Sequence, residues 1–250
     1  MTRKTESKDT SAAKTNKSSK EKYVTLDGDG IRTIFKPSTE LVFILDKSGS
    51  MHGLEEYTIG GFNSVLKKQK KEDGGNCFVS TILFDDEISI LHDRVPIEEV
   101  KEMTSKEYFT GGCTALLDAV GRTVNHIKTI HRYLKNEQPI ETLFVITTDG
   151  MENASREYTV NEIKKLISRQ TEKGWEFLFL GANIDAVETA ENIGIRKERA
   201  ANFVNDPRGI RGNYAAIAGC VSILRRGKAI KDGWKDEIDE DYKKRGGNQK

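Results

Sequence analysis

The sequence predicts an α/β protein with a doubly wound, Rossmann-like sheet of six strands, mostly parallel, with one antiparallel edge strand and helices on both faces. Short, wholly apolar runs such as 41–45 and 143–146 are typical of strands that are buried on both faces. Between such runs lie longer stretches, such as 115–133, whose apolar residues recur at helical spacing. Strands and helices alternate along the chain, and this alternation requires parallel strands with helices on both sides of the sheet.

The N-terminal segment differs in composition from the rest of the chain. Residues 1–22 contain seven basic residues against three acidic ones, a net charge of +4, and almost no large apolar side chains. Such a segment cannot bury enough apolar surface to order itself, so we expect a disordered, solubilising basic tail. A nucleic-acid-binding arm is the less favoured alternative, because no aromatic residue lies between the lysines.

Residues 23–38 carry two short β-prone runs, 23–26 and 31–35, on either side of a turn at 27–30. Two such runs around a four-residue turn predict a β-hairpin that is appended to the main domain. The two aspartates of the turn lack the further oxygen ligands of a calcium-binding loop, so we expect a plain turn.

The main domain is expected to cover residues 39–226. Its predicted strands lie at 41–45, 77–84, 87–91, 141–149, 175–180 and 200–204, and its predicted helices lie at 54–71, 96–103, 115–133, 158–171, after 185, and at 214–224. The tight turn at Asp85 and Asp86 makes 87–91 the antiparallel strand at the edge of the sheet.

Two features near the C-terminus complete the expected organisation. Gly209 and Gly212 precede the last predicted helix, and we expect the freedom of their backbones to create a hinge there. Residues 227–250 mix charged residues with glycine, which predicts a loosely held, charged tail. Trp234 is the residue that could hold part of this tail against the domain.

The first apolar strand of the main domain ends in a cluster of oxygen-bearing side chains. In open α/β sheets ligands bind beyond the carboxyl ends of the strands, so Asp46, Ser48 and Ser50 form a candidate site for a hard cation. Gly49 lets the backbone turn so that the three side chains can converge. Taken alone, the same turn could instead cap a helix, because Asp and Ser are common in such turns.

Two later stretches place further oxygen ligands at the same edge of the sheet. Thr114 ends the loop 110–114 just before a predicted helix, and Asp149 ends the strand 141–149. In their order and element context, Asp-x-Ser-x-Ser, Thr and Asp resemble the metal-ion-dependent adhesion site of von Willebrand factor A domains. The sequence resembles this family from about residue 39 to about residue 226, and more specifically its intracellular bacterial or phage type.

The resemblance implies a metal centre and a way of using it. It implies that Ser48, Ser50 and Thr114 ligate the metal directly, and that Asp46 and Asp149 act largely through water or hydrogen bonds. Mg²⁺ is the expected ion, with Mn²⁺ or Ca²⁺ as alternatives. In this family a Glu or Asp of a partner protein occupies the open position of the metal. The implied function is therefore a protein-protein interaction module, with an AAA+ ATPase or another operon-encoded protein as candidate partner, and with neither a membrane nor a nucleic acid expected.

Further residues are expected to surround the metal or to lie on its rim: Gly49, Gly112, Cys113, Asp118, Glu152 and His52. Asp118 lies one turn inside its helix, where it could either hydrogen-bond the loop hydroxyls or favour the positive end of the helix. Cys113 places a free thiol beside the metal, and a small residue that is tolerated in a loop is favoured over a redox sensor.

A metal-dependent phosphate-ester hydrolase is the alternative from a different functional class. Such an enzyme needs a positioned base or nucleophile near the ion. The sequence has no nucleophile elbow and no phosphate-binding glycine loop with lysine, and Ser48 stands where an aspartyl-phosphate enzyme needs a second acid. His52 and Glu152 are the candidate bases, and we expect both to be rim residues. A non-enzymatic module is therefore favoured.

Cysteines and apolar runs bear on the compartment in which the protein works. Cys77, Cys113 and Cys220 form no Cys-x-x-Cys pair, which argues against a disulfide framework and fits a reducing environment. The four histidines are scattered and suggest no zinc site. No apolar stretch has the length of a membrane span, and the N-terminus has no apolar export signal, so cytoplasmic residence is the expectation.

Overall fold

The structure is a computed structural model that describes residues 24–26, 32–34, 38–134 and 140–246. Two short strands, β1 (Val24–Leu26) and β2 (Arg32–Ile34), pair antiparallel in a two-stranded sheet of their own. They coincide with the two runs from which a hairpin is predicted. The predicted basic tail at 1–22 and the last four residues of the predicted C-terminal tail lie outside the described residues.

The main sheet lies in the order β5-β4-β3-β6-β7-β8, and each neighbouring pair is parallel except β4 with β5. Its six strands are β3 (Ser38–Asp46), β4 (Cys77–Phe84), β5 (Ile88–Pro96), β6 (Ile140–Thr148), β7 (Glu176–Gly181) and β8 (Ala200–Asn202). The predicted six-stranded, mostly parallel sheet with one antiparallel edge strand is therefore confirmed.

The apolar run in β3 is buried on both faces because this strand lies in the interior of the sheet. β3 is parallel to both of its neighbours, with Leu41 aligned to Val79 of β4 and to Leu143 of β6. Leu41 joins the hydrophobic core on one face of the sheet, and Val42 joins the core on the other face. Since alternate side chains enter apolar cores on opposite faces, the strand needs no polar alternation.

Helices cover both faces of the sheet. Within the described residues they are α1 (Glu55–Lys71), α2 (Leu116–Tyr133), α3 (Val160–Thr171), α4 (Ala186–Asn192), α5 (Pro207–Arg225) and α6 (Asp236–Lys244). α1, α5 and α6 contribute to the core on one face, and α2, α3 and α4 contribute to the core on the other. This arrangement confirms the predicted doubly wound fold. None of these helices is both long enough and apolar enough to cross a membrane.

Two helices on the same face, α1 and α5, meet at a glycine. A Cβ atom added to Gly61 would lie 2.1 Å from the ring of Tyr214, so the ring fills the space that any side chain at position 61 would need. Tyr214 is 3% exposed. Glycine at position 61 therefore lets the helices approach each other closely enough to bury this ring.

The segment 96–103 is not the short helix that its sequence predicts. β5 extends to Pro96, and a turn follows it. Ile97, Val100 and Met103 are all buried in the core that also contains α1. Their spacing of three residues imitates helical periodicity, but it arises because the turn directs three apolar side chains into one core.

The predicted hinge at Gly209 and Gly212 is wrong, because both residues lie inside α5. Asp206 caps this helix by accepting a hydrogen bond from the Gly209 N–H at 2.8 Å. A Cβ atom on Gly209 would lie 2.0 Å from the carbonyl oxygen of Val204. Position 209 therefore needs glycine for a close backbone contact and not for flexibility.

The C-terminal segment packs against the domain, which corrects the expectation of a loosely held tail beginning at residue 227. Ile238 of α6 is buried in the same core as α1 and α5. The indole Nε1 of Trp234 donates a hydrogen bond to the Glu198 carbonyl oxygen at 2.8 Å. Trp234 thus holds the segment to the domain, as its position suggested, and the packing continues through α6.

Candidate metal centre

The predicted ligand positions lie together at the carboxyl edge of the sheet. β3 ends at Asp46, and Asp149 follows the end of β6, the strand beside it. Thr114 precedes α2, and its carbonyl oxygen accepts hydrogen bonds from the N–H groups of Asn153 and Ala154 in the loop after Asp149. Loops from three different parts of the chain therefore meet at the usual position of ligand sites in open α/β sheets.

Asp46 is almost completely buried, with 1% exposure, and its carboxylate is held on both oxygens. Oδ1 accepts the Ser48 N–H at 2.7 Å, and Oδ2 accepts the hydroxyl of Thr148 at 2.5 Å. The buried hydroxyl of Tyr108 donates to the Asp46 carbonyl oxygen at 2.5 Å. Burial raises the pKa of the Asp46 carboxyl, and the hydrogen bonds from Ser48 and Thr148 oppose that rise. A carboxylate that has lost its hydration in this way attracts a cation strongly.

The hydroxyls of Ser48, Ser50 and Thr114 surround a single point in space. A Cβ atom placed on Gly150 would lie 3.0 Å from Thr114 Oγ1, 3.3 Å from Ser50 Oγ and 4.0 Å from Ser48 Oγ. The two serine oxygens are themselves 3.2 Å apart. A side chain at position 150 would crowd the space among the three hydroxyls, and glycine leaves that space free.

Asp149, which follows the end of β6, contacts the hydroxyl cluster through Ser50. Its Oδ1 accepts the hydroxyl of Ser50 at 2.5 Å, and its Oδ2 accepts the amide of Asn205 at 2.8 Å. Burial raises the pKa of the Asp149 carboxyl; the charge of Asp46 raises it further, and the hydrogen bonds from Ser50 and Asn205 lower it. The two neighbouring carboxylates repel each other when both are ionised, and a dication bound beside them would offset that repulsion.

The donor set fits a hard divalent cation. Three hydroxyls and two carboxylates are oxygen donors of the kind that Mg²⁺, Mn²⁺ and Ca²⁺ accept. Within the residues that the structure describes, no group of three or more His, Cys, Asp or Glu side chains is arranged to hold a metal ion. An ion at this edge would therefore depend on the hydroxyls as much as on the acids. The residues that would hold it are Asp46, Ser48, Ser50, Thr114 and Asp149.

Gly49 and Gly112 bring two of the site loops into contact. The N–H of Gly49 donates a hydrogen bond to the Gly112 carbonyl oxygen at 3.1 Å. Gly112 has a φ of +70°, and a Cβ atom there would lie 1.9 Å from Asp86 Oδ1, so glycine is needed for two reasons. Cys113 is exposed, and its N–H donates to the same oxygen of Asp86 at 3.2 Å. Asp86 therefore positions the loop that leads to Thr114.

Asp118 organises the loop between β6 and α3. Its carboxylate accepts hydrogen bonds from the backbone N–H groups of Arg156, Glu157 and Tyr158 at 2.8 to 2.9 Å. Among the described residues it makes no hydrogen bond to a hydroxyl of the site, so that expected role is not found. Its position in the first turn of α2 remains electrostatically favourable.

Glu152 and His52, the two candidate bases, lie beside the hydroxyl cluster without entering it. Glu152 Oε1 accepts the N–H of Ser155 at 2.8 Å, and Oε2 accepts the N–H of Leu117 at 2.9 Å. The side chain of His52 is 86% exposed, and its Nδ1 lies 3.3 Å from Glu55 Oε1. Glu152 is thus a structural acceptor for the start of α2, and His52 is an exposed side chain beside Glu55.

Sequence reasoning missed Thr148, Asn205 and Tyr108, which hold the two acids or the backbone beside them. Thr148 immediately precedes Asp149, and Asn205 follows the last strand of the sheet. A polar residue after the carboxyl end of each parallel strand was the available signal for Asn205, because those ends share one edge. Tyr108 lies in an irregular loop and gives no such signal.

Comparisons with known proteins find similarity in structure and none in sequence. A scan against protein families and a search of curated proteins gave no match. Many solved structures do match. One is the von Willebrand factor type A protein from Catenulispora acidiphila, with a TM-score of 0.54 and 13% identity, covering 77% of this chain and 44% of that chain.

Two further matches come from different organisms. The vWF domain of the type V pili tip protein Mfa5 from Porphyromonas gingivalis has a TM-score of 0.56 and 10% identity, covering 79% of this chain and 99% of that one. Proximal thread matrix protein 1 from the mussel byssus, in a structure with a zinc-occupied MIDAS motif, has a TM-score of 0.52 and 12% identity. That match covers 75% of this chain and 46% of the byssus protein, so the chain spans less than half the length of this relative.

At these identities the likeness concerns the fold. The matched structures include von Willebrand factor A domains, and the sheet found here is the six-stranded, mostly parallel sheet that the resemblance implies. The chain therefore has the α/β fold of von Willebrand factor A domains.

Proposed function

We propose that this protein is a metal-dependent protein-protein interaction module that binds Mg²⁺ at the hydroxyl cluster and captures a carboxylate of a partner protein there. The observation that carries the proposal is the convergence of the Ser48, Ser50 and Thr114 hydroxyls on one point, with Asp46 and Asp149 beside them. Mn²⁺ and Ca²⁺ are the alternative ions. The zinc-occupied MIDAS motif of the byssus protein supports a divalent metal at a centre of this fold.

The composition of the site favours capture of an acidic side chain. Three of the five donors are neutral, so a dication held by them keeps much of its positive charge. Mg²⁺ prefers six oxygen ligands and commonly retains several waters, which leaves exchangeable positions. A Glu or Asp of a partner protein complements that remaining charge.

The surface around the hydroxyl cluster supports a protein as the partner. Ser50 is exposed while Ser48 and Thr114 are buried, so the cluster reaches the surface at Ser50. Phe109 is 61% exposed and Met151 is 74% exposed, and these residues lie in the loops on either side of the cluster. The ring of Phe109 lies 5.2 Å from Nζ of Lys47, the residue between Asp46 and Ser48. Exposed aromatic residues and methionine around a charged centre are characteristic of protein interfaces.

The geometry offers little support for the hydrolase alternative. A hydrolase needs a base with a free lone pair near the metal-bound water or substrate. Both carboxylate oxygens of Glu152 accept backbone hydrogen bonds, and His52 points to Glu55 at the exposed rim. The candidate bases therefore have other roles, which favours a non-enzymatic module.

The cysteines bear on the compartment in which the protein works. Cys77, Cys113 and Cys220 are free, and Cys77 and Cys220 are buried, which suits a reducing compartment. We therefore propose a cytoplasmic protein whose partner is an AAA+ ATPase or another protein encoded with it, and not a membrane or a nucleic acid. The similar pilus and byssus proteins show that the same fold also serves other settings.

Titration calorimetry tests the metal, and affinity capture tests the partner. We expect the protein to bind one Mg²⁺ and Asp46→Ala to bind none, while Glu56→Ala, which removes an exposed acid of α1 outside the cluster, binds as the parent does. Immobilised protein should retain a partner from native lysate in Mg²⁺ and release it in EDTA. Equal Mg²⁺ binding by Asp46→Ala would refute the site. Turnover of p-nitrophenyl phosphate that Asp46→Ala abolishes would establish the hydrolase instead.

A further inference from the structure

A cleft of about 640 Å³ lies beyond the carboxyl ends of β7 and β8, and it shares a residue with the hydroxyl cluster. Asn205 lines the cleft, and its Nδ2 donates to Asp149 Oδ2 at 2.8 Å. The volume falls within the range of roughly 300 to 1,000 Å³ that is typical of ligand pockets. The cleft therefore adjoins the hydroxyl cluster at Asn205.

The charged groups of the cleft already make contacts within the chain. Arg245 forms ion pairs with Asp206 and Asp241. Asp185 caps α4 by accepting the Glu188 N–H at 3.0 Å. A guanidinium that two carboxylates hold is a poor receptor for a phosphate or for a second free acid, so the cleft favours a neutral polar ligand.

Three asparagine side chains line the same cleft, and two of them, Asn183 and Asn202, have hydrogen-bonding groups to spare. Asn202 Oδ1 accepts the Ala186 N–H at 2.9 Å, and its NH₂ group has no partner among the described residues. Asn205 Oδ1 also has no partner among the described residues, but this atom is buried and does not face a ligand in the cleft. In the part of the chain that the structure describes, the side chain of Asn183 makes no hydrogen bond. Its backbone has a left-handed φ of 56°, a conformation that asparagine tolerates better than most residues.

We infer that this cleft binds the peptide backbone that flanks the partner's acidic residue, while the carboxylate of that residue occupies the metal. The inference rests on the proposed function and specifies the partner as an extended peptide segment. A primary amide donates and accepts hydrogen bonds as a peptide group does, and an extended segment leaves its own N–H and C=O groups unpaired. Ile184 and Phe203, which also line the cleft, supply apolar surface for a side chain beside the acid.

The test compares acetate with the capped peptide Ala-Ala-Glu-Ala-Ala in NMR titrations of the full chain with saturating Mg²⁺. We expect the peptide to bind at least about tenfold more tightly than acetate and to shift amide signals of the cleft. Asn183→Gly removes the free amide while permitting the left-handed backbone. Its affinity for the peptide should be about three- to tenfold lower than that of the parent protein, as expected for one or two hydrogen bonds. Acetate binding should remain as in the parent protein.

Asn192→Gly is the matched control, because Asn192 is exposed at the end of α4 and does not line the cleft. It should bind both probes as the parent does. The inference is overturned if acetate binds and the peptide binds no more tightly, or if Asn183→Gly weakens the binding of both probes equally. In either case the cleft does not bind the peptide, and the proposed metal centre is unaffected. If neither probe binds in Mg²⁺, the proposed function itself fails.

Discussion

The hydroxyl of Thr148 donates a 2.5 Å hydrogen bond to Oδ2 of Asp46, and each residue is 1% exposed. Thr148 is the last residue of β6 and Asp46 is the last residue of β3, so this bond joins the ends of two adjacent strands. Oδ1 of the same carboxylate accepts the N–H of Ser48. With both oxygens held, the Asp46 carboxylate has a fixed orientation toward the serine hydroxyls.

Removing the Thr148 hydroxyl should therefore weaken the metal site without disturbing the strand. Thr148→Val keeps the β-branched shape and loses the hydrogen bond, and we expect Mg²⁺ affinity to fall about 10- to 100-fold, the usual cost of losing a group that orients a metal-binding residue. Titration calorimetry measures the affinity, and Thr148→Ser is the control because it retains the hydroxyl. Parent-like affinity of Thr148→Val would show that Ser48 alone orients the carboxylate.

Alanine substitutions at two neighbouring glycines in α1 distinguish the effect of close packing on stability from the effect of helix propensity. Gly61→Ala should lower the free energy of unfolding by at least about 2 kcal/mol, because its methyl group would overlap the buried ring of Tyr214. Gly60→Ala meets no atom within 4 Å and should raise the free energy of unfolding by about 0.5 to 1 kcal/mol. Urea unfolding measures both variants. A small loss for Gly61→Ala would mean that α1 and α5 can separate at little cost.

The fold and the convergence of the oxygen-bearing loops at one sheet edge could be predicted from the sequence because both follow from local patterns. The run before Asp46 is apolar throughout since β3 is buried on both faces, and the oxygen-bearing residues follow at the strand end. Thr148 and Asn205 belong to the same site, but their roles depend on contacts with Asp46 and Asp149 that are remote in sequence. The position of Asn205 after a strand end indicates the edge of the sheet at which it lies, but the neighbouring residues do not encode which side chain it contacts.

The errors near the C-terminus have the same physical origin. The sequence predicts a flexible Gly209, yet this residue is glycine because the Val204 carbonyl oxygen lies against it. The segment after residue 227 has a charged composition that is typical of a solvated tail. A few residues, among them Trp234 and Ile238, are enough to hold it in place. Composition averages over a segment, whereas docking depends on a few apolar side chains at the right positions.

The contact of Trp234 with the domain should contribute measurably to stability. Trp234→Ala should cost about 2 to 3 kcal/mol, less than the 3 to 5 kcal/mol typical of a fully buried tryptophan, because this side chain is only partly buried. Trp234→Phe keeps most of the apolar contact and loses the bond to Glu198, so it should cost about 1 kcal/mol. Urea unfolding measures the stability of both variants. An unchanged unfolding midpoint for Trp234→Ala would mean that the segment after residue 227 is loosely held.

Deleting residues 1–22 should leave both the melting temperature and the Mg²⁺ affinity unchanged. The composition of this segment gives it almost no large apolar side chains with which to join a core. Differential scanning calorimetry and a Mg²⁺ titration of the truncated chain provide the test. A drop of several degrees in melting temperature would show that the segment contributes to the folded domain.

His92 should make the stability of the domain depend on pH. It is 7% exposed, its Nδ1 lies 3.0 Å from Thr81 Oγ1, and its ring stacks on Phe62 at 6.2 Å. Burial lowers the pKa of His92; Lys70 lowers it further, while Glu107 and a hydrogen bond with the Lys101 backbone raise it.

The unfolded chain therefore takes up a proton at this position at a higher pH than the folded chain does. The contribution of His92 to stability is fully present above its unfolded pKa of about 6.5 and is lost as the pH falls toward its lower folded value, by at most about 1.4 kcal/mol per pH unit. Urea unfolding of the parent protein and of His92→Gln between pH 5 and pH 8 isolates this contribution from those of the other histidines. As the pH is lowered, the unfolding free energy of the parent protein should fall relative to that of His92→Gln. A difference that stays constant over this range would show that His92 is protonated equally in both states.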